Sequence, residues 1–169
     1  MALSPIAAAM FEFTPDPEMD KAARYAALAD AARAITDNEP DAVANMANLA
    51  ALVWQMVPDL NWAGFYRLTG GELVLGPFQG KPACIRIALG SGVCGAAAAS
   101  GETQLVPDVH AFPGHIACDA ASRSELVVPV IRDGAVIAVI DLDSPLPARF
   151  DGDDAAGIER LAALIAGVI

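Results

Sequence analysis

At Asn61 the apolar periodicity of this chain changes, and that change limits the folds open to it. Before it, Lys21 to Ile35 is alanine-rich with apolar residues at helical spacing and ends near Asp37-Asn38. Glu39-Pro40-Asp41 then opens a second helix, which runs through Val57 and stops at Pro58. After Asn61 come short β-rich runs at Trp62 to Leu68, Glu72 to Gln79, Cys84 to Ala88, Thr103 to Val106, Ser124 to Ile131 and Ala135 to Asp141. Gly-Gly, Gly-Lys-Pro and Asp-Gly turns separate them, and Arg132-Asp133-Gly134 marks a hairpin. Gly92 to Ser100 reads as a short helix between strands and Asp153 to Ile169 as a terminal helix packed back on the sheet. This order predicts an α+β fold, with a central, mostly antiparallel sheet of about six strands flanked by N-terminal and C-terminal helices. Residues 1 to about 18, with three prolines and no sustained periodicity, read as an arm laid on a single domain spanning 19–169.

Composition narrows the function classes. The chain of 169 residues carries a net charge of -11, from 10 Lys+Arg against 21 Asp+Glu, and its basic residues are scattered. Such a surface repels phosphate backbones and anionic headgroups, so neither nucleic acid nor membrane is an expected partner. The first basic residue is Lys21, which leaves no positive region for a secretory leader, and no apolar run reaches the roughly 18 residues of a membrane span. A cytoplasmic protein is expected, in a compartment where disulfides tend to be transient and catalytic.

The three cysteines form no CxxC pair and no disulfide framework. Cys118 lies in Phe112-Pro113-Gly114-His115-Ile116-Ala117-Cys118-Asp119, a turn-rich polar loop rather than the apolar face that a packing cysteine prefers. Cys84 follows another turn, Gly80-Lys81-Pro82-Ala83, and Cys94 sits in Gly92-Val93-Cys94-Gly95 before an alanine run. The pattern suggests a nucleophilic thiol with a partner thiol. Asp141 and Asp143 are two apart at a strand end and so share a face, although an Asp-x-Asp before Ser-Pro is more often a hairpin end. Trp62 at the start of a strand is either a core aromatic or an exposed apolar wall. Ser91 reads as the N-cap of the helix beginning at Gly92, whose free backbone N–H groups, with those of Val93, make a seat for an anion. His110 and His115 with Cys118 lack the fourth ligand and spacing of a metal site, so no metal is expected, and His115 is assigned to ordering the loop or holding Cys118 as thiolate.

The segment Val106-Pro107-Asp108-Val109-His110-Ala111-Phe112-Pro113-Gly114-His115-Ile116-Ala117-Cys118-Asp119, followed by Ser122-Arg123-Ser124-Glu125-Leu126-Val127-Val128-Pro129, resembles the free methionine-(R)-sulfoxide reductases, small proteins built on the GAF fold. Asn61-Trp62-Ala63-Gly64-Phe65-Tyr66, Leu75-Gly76-Pro77-Phe78-Gln79-Gly80, Gly92-Val93-Cys94-Gly95 and Val139-Ile140-Asp141-Leu142-Asp143-Ser144 extend the likeness. The resemblance implies a GAF-like fold and thiol-dependent reduction of free methionine-(R)-sulfoxide. By it, Cys118 is the nucleophile that becomes a sulfenic acid, and Cys84 is the resolving thiol whose disulfide thioredoxin reduces, with no other cofactor. Glu125 and Asp143 are assigned as acids on the sulfoxide oxygen, and Asp141 either as the partner of the substrate ammonium or as a support for the groups that touch substrate. Trp62 becomes the wall for the S-methyl group, and Ser91, Gly92 and Val93 the carboxylate seat. Cys94 is read as packing, with an auxiliary role open. Pairing through the first helices would make a homodimer. The alternative is a non-catalytic GAF module that senses a small ligand or redox state.

Overall fold

The computed structural model describes residues 18–115 and 119–169, so nearly all of the expected arm and Cys118 itself lie outside the described residues. Two helices lead, α1 (Lys21–Thr36) and α2 (Ala42–Met56). Each begins on an aspartate, Asp20 or Asp41, whose side chain accepts from the backbone N–H of Ala23 or Ala44 at 2.8 Å. These contacts satisfy donors that a helix's first turn leaves without partners. The strands are β1 (Trp62–Thr69), β2 (Glu72–Gly80), β3 (Arg86–Ala88), β4 (Gln104–Val106), β5 (Ser124–Arg132) and β6 (Ala135–Ser144). Helix α3 (Gly92–Ser100) joins β3 to β4, and α4 (Gly152–Ile165) closes the chain.

The six strands form one sheet in the order β3-β2-β1-β6-β5-β4, with every neighbouring pair antiparallel. The α+β expectation holds. The β5–β6 hairpin turns through Asp133 and Gly134 at φ of 52° and 78°, left-handed geometry that an Asp-Gly pair supplies at low cost. The terminal helix stops at Ile165 rather than Ile169, and two boundaries that bear on the site also differ from the sequence reading. Cys84 is not in a strand: its carbonyl accepts the Tyr66 hydroxyl at 3.0 Å, and pairing with β2 begins only at Arg86. β6 continues past Asp141 to Ser144, which carries Asp143 into the ladder.

Alternation along the strands divides the sheet into two faces. Ala63 and Phe65, Leu126, Val128 and Val130, and Ala138, Ile140 and Leu142 pack against α1, α2 and α4. Each large apolar side chain buried there contributes about 1.5–3 kcal/mol relative to exposure. Gly157 lets α4 close on α1, because a Cβ at that position would lie 2.3 Å from the Tyr25 ring. The Tyr25 hydroxyl in turn donates to the buried Asp154 at 2.8 Å. Trp62, Tyr66, Val127 and Val139 face the other way, onto α3 with its Val93, Cys94, Ala97 and Ala98. Glu125, Asp141 and Asp143 have the same parity, so three acids project on the α3 side of the sheet.

Candidate active site

Strand register decides which acids meet. Asp143 is paired with Trp62 on β1 and with Glu125 on β5, so one row across three strands carries an aromatic and two carboxyls. Asp141 stands one step along β6, opposite Gly64 and Val127. A Cβ at Gly64 would strike the Phe78 side chain at 2.3 Å and the Trp62 ring at 2.8 Å, so the indole keeps its position only over glycine. Trp62 is buried, stacks on Phe78 and Tyr66 at centroid distances of 5.2 and 5.8 Å, and donates its indole N–H to the Lys81 carbonyl at 3.1 Å.

Above the acids, the start of α3 closes a pocket with about 400 Å³ of atom-free space counted out to its open mouth. Glu125, Asp141 and Asp143 form its floor, Ser91, Gly92, Val93 and Cys94 one wall, and His115, Asp119 and Ser122 another. A smaller hollow adjoins it, sharing Asp119, Asp141 and Asp143 and bounded by Trp62, Lys81, Pro82 and Ala83. Ser91 occupies the N-cap position of α3, but its side chain makes no capping hydrogen bond, contrary to the expectation of a side-chain cap. The wall it offers with Gly92, at φ of 62°, is main chain at a helix start, which carries partial positive charge.

Burial sets the electrostatics of the floor. Glu125 and Asp141 are each only 6% exposed. Loss of hydration pushes the Asp141 carboxyl up to about 7, partly offset by its hydrogen bonds with Cys94 and Glu125. Glu125 rises well above the ordinary glutamate range through burial first, then the charges of Asp141 and Asp143. Asp143 rises for the same two reasons, opposed by a hydrogen bond from Ser122. Negative charge on Asp141 favours the protonated forms of the other two. The one basic side chain within ion-pair distance among the described residues is His115, whose Nδ1 is 3.9 Å from Glu125 Oε2. Burial and the neighbouring His110 push its pKa down, which disfavours the imidazolium that would neutralise the acids.

The thiols occupy different surroundings. Cys94 is buried in the wall, with Sγ 3.9 Å from Glu125 Oε1, and burial together with Asp141 and Glu125 pushes its thiol well above the ordinary range. It belongs both to the apolar cluster under α3 and to the pocket lining, so the packing assignment describes only one side of it. Cys84 is half-buried and follows the Lys81 to Ala83 rim. Cys118 lies outside the described residues; the nearest described residues on either side, His115 and Asp119, both line the pocket.

With this arrangement in view, comparison with known proteins is informative. Residues 41–169 match the GAF domain family. The free methionine-R-sulfoxide reductase of Escherichia coli is 46% identical over 151 residues, 89% of this chain and 92% of that protein. The free methionine-R-sulfoxide reductase of Saccharomyces cerevisiae is 48% identical over 139 residues, 78% of this chain and 77% of that protein. A solved structure of free methionine-R-sulfoxide reductase from Neisseria meningitidis in complex with its substrate superposes with a TM-score of 0.85 at 46% identity, covering 88% and 90% of the two chains. The chain belongs to the free methionine-R-sulfoxide reductases, within the GAF fold.

For this family member the structure adds residues that the sequence reading passed over. Ser122 is buried between Asp143 and Asn61, whose side-chain amide donates to Ser122 Oγ at 3.0 Å and to Asp119 at 3.2 Å. Lys81 reaches Asp119 from the rim at 3.2 Å. The Ala121 backbone N–H, with the Asn61 and Lys81 side chains, holds the Asp119 carboxyl below the ordinary range. Asn61 immediately precedes Trp62 and Ser122 lies three residues before Glu125, so both sat inside the quoted segments, where only contacts across the fold could mark them.

Proposed function

We infer that this chain reduces free methionine-(R)-sulfoxide to methionine in the pocket beneath α3. The observation that carries the reading is a cluster of carboxyls, buried Glu125 and Asp141 with half-buried Asp143, facing a helix N-terminus beside a stacked tryptophan. Reducing a sulfoxide with a thiol needs a nucleophile at sulfur and an acid at oxygen. Burial and neighbouring negative charge favour the protonated forms of Glu125 and Asp143, which supply the acid in this reading, whereas Asp141 meets the substrate ammonium. The main chain from Ser91 to Val93 receives the substrate carboxylate, and Trp62 bounds the S-methyl side.

In the proposed cycle Cys118 attacks the sulfoxide sulfur. The oxygen leaves with the thiol as a cysteine sulfenic acid, methionine departs with the electron pair, and the carboxyl proton delivered to oxygen is recovered from the thiol. The Cys84 thiol then displaces hydroxide from the sulfenic acid, which leaves as water, and forms a disulfide. The dithiol of thioredoxin reduces that bond by exchange, so no resident cofactor or metal takes part. Cys94 is poorly suited to attack because its buried, acid-flanked surroundings oppose thiolate formation. No described helix is long and apolar enough to cross a membrane, and a cytoplasmic setting, with its thioredoxin supply, fits the proposal. Val43 and Trp54 give α2 an exposed apolar face suited to a homodimer.

Turnover tests the assignment against a non-catalytic sensor. The full chain with thioredoxin, thioredoxin reductase and NADPH should consume free methionine sulfoxide, and Cys118→Ser should stop that consumption with the fold retained. Binding without turnover in the wild type would return the protein to the sensor class.

A further inference from the structure

Cys94 is a buried thiol set among the acids of the pocket, and the reduction cycle does not use it. Ligand atoms of Cys94, Glu125 and Asp141 all lie within 4.8 Å of one another, and all three residues are buried. Asp141 Oδ1 is buried without a hydrogen-bond partner among the described residues, and so is His115 Nδ1, 3.9 Å from Glu125. One thiol, two carboxyls and an imidazole nitrogen thus gather around the pocket, and two of their atoms, Asp141 Oδ1 and His115 Nδ1, have no hydrogen-bond partner among the described residues. A buried polar group without a partner is destabilising, so a ligand that engages these atoms relieves that cost.

We propose that Cys94, Glu125 and Asp141 form a binding site for a thiophilic divalent cation of the Zn²⁺ class, with the fourth position taken by His115 Nδ1 or water. The chemistry of the donors selects the ion. Thiolate, carboxylate and imidazole in a set of three or four suit Zn²⁺ or Co²⁺, whereas Ca²⁺ and Mg²⁺ require six or more oxygens. Donors around one tetrahedral ion lie roughly 3.5 Å apart, so side-chain rotations of about 1 Å close the set. Coordination takes the protons from the Cys94 thiol and the carboxyl groups that hold one and passes them to solvent. Because Glu125 and Asp141 also serve the proposed substrate site, ion and substrate exclude each other, and the ion acts as a competitive inhibitor. The cation site itself stands on geometry and does not depend on the proposed reaction.

Cobalt chloride titrated into the full, reduced chain provides the test, because Co²⁺ reports a bound thiolate by a charge-transfer band in the near ultraviolet. One equivalent should produce the band in wild type, Cys84→Ser and Cys118→Ser, and Cys94→Ser should abolish it. Asp141→Asn, which leaves every thiol in place, should weaken Co²⁺ affinity by at least about 100-fold, the upper end of what loss of even an outer-shell partner costs. A band that survives Cys94→Ser and disappears in Cys118→Ser or Cys84→Ser overturns the site, as does unchanged affinity in Asp141→Asn. In Cys118→Ser, which cannot turn the substrate over, free methionine sulfoxide should displace the ion. A Cys94-dependent band that persists under saturating methionine sulfoxide upholds the cation site and instead contradicts the placing of substrate on these acids.

Discussion

Replacing Asp141 with asparagine is expected to stabilise the folded protein above neutral pH while removing its grip on the substrate ammonium. Burial moves this carboxyl from 3.8 in an ordinary setting to about 7 in the fold. Between those values the native state keeps a proton that the unfolded chain has released. The native state therefore binds more protons, and stability falls as pH rises, with the loss complete above about 7. A rise of roughly three units corresponds to about 4 kcal/mol, an upper value for one group and a large share of the 5–15 kcal/mol typical of a domain. Asparagine keeps the shape and an acceptor for Cys94 and cannot ionise. Urea unfolding of wild type and Asp141→Asn from about pH 4 to about pH 8 measures the difference. The variant should gain on wild type by up to about 4 kcal/mol across that range, while Glu125 and Asp143 leave both proteins a residual slope of the same sign. Parallel pH profiles, or a variant that loses ground at high pH, would refute the assignment of a strained buried charge to Asp141.

Other outcomes follow from the same geometry. Cys84→Ser should release about one methionine per site in a single turnover, since resolution follows the chemical step, and should then fail to cycle with thioredoxin; quench and amino-acid analysis give the stoichiometry. Glu125→Gln and Asp143→Asn should lower kcat with little change in KM if they donate to the oxygen in the transition state, and a pure rise in KM would make them binding groups. Trp62→Ala should cost about 1–3 kcal/mol in kcat/KM, the range for pockets that read a methyl group, and unchanged kinetics would return the indole to a packing role.

Much of the fold was legible because its signals are local. The shift from helical to alternating periodicity at Asn61, the Asp133-Gly134 turn and the Gly92–Ser100 helix all stand where the pattern placed them. Leu142 continues the alternation of β6 past Asp141, and an uninterrupted count would have carried the strand to Ser144. Cys84 misled because its run is β-rich, yet Tyr66 claims its carbonyl from a distant strand. Ser91 has the composition of a cap without the hydrogen bond. The common face of Asp141 and Asp143 follows from spacing alone, whereas Glu125 joined them through the resemblance, and its register opposite Asp143 emerges only once β5 and β6 pair. The embedding of Cys94 among acids was illegible for the same reason: 31 residues separate it from Glu125 in the chain.

The central claim is that one pocket reads a free amino acid by both of its ends. Capping those ends as amides would strand the Asp141 carboxylate and the main-chain donors at Ser91 to Val93, and sites built on such polar contacts discriminate by about 10⁴-fold. The direct measurement is kcat/KM for free methionine-(R)-sulfoxide against N-acetyl-methionine-(R)-sulfoxide amide under the same reductant. A ratio near 10⁴ in favour of the free compound is predicted, and comparable values for the two would contradict it.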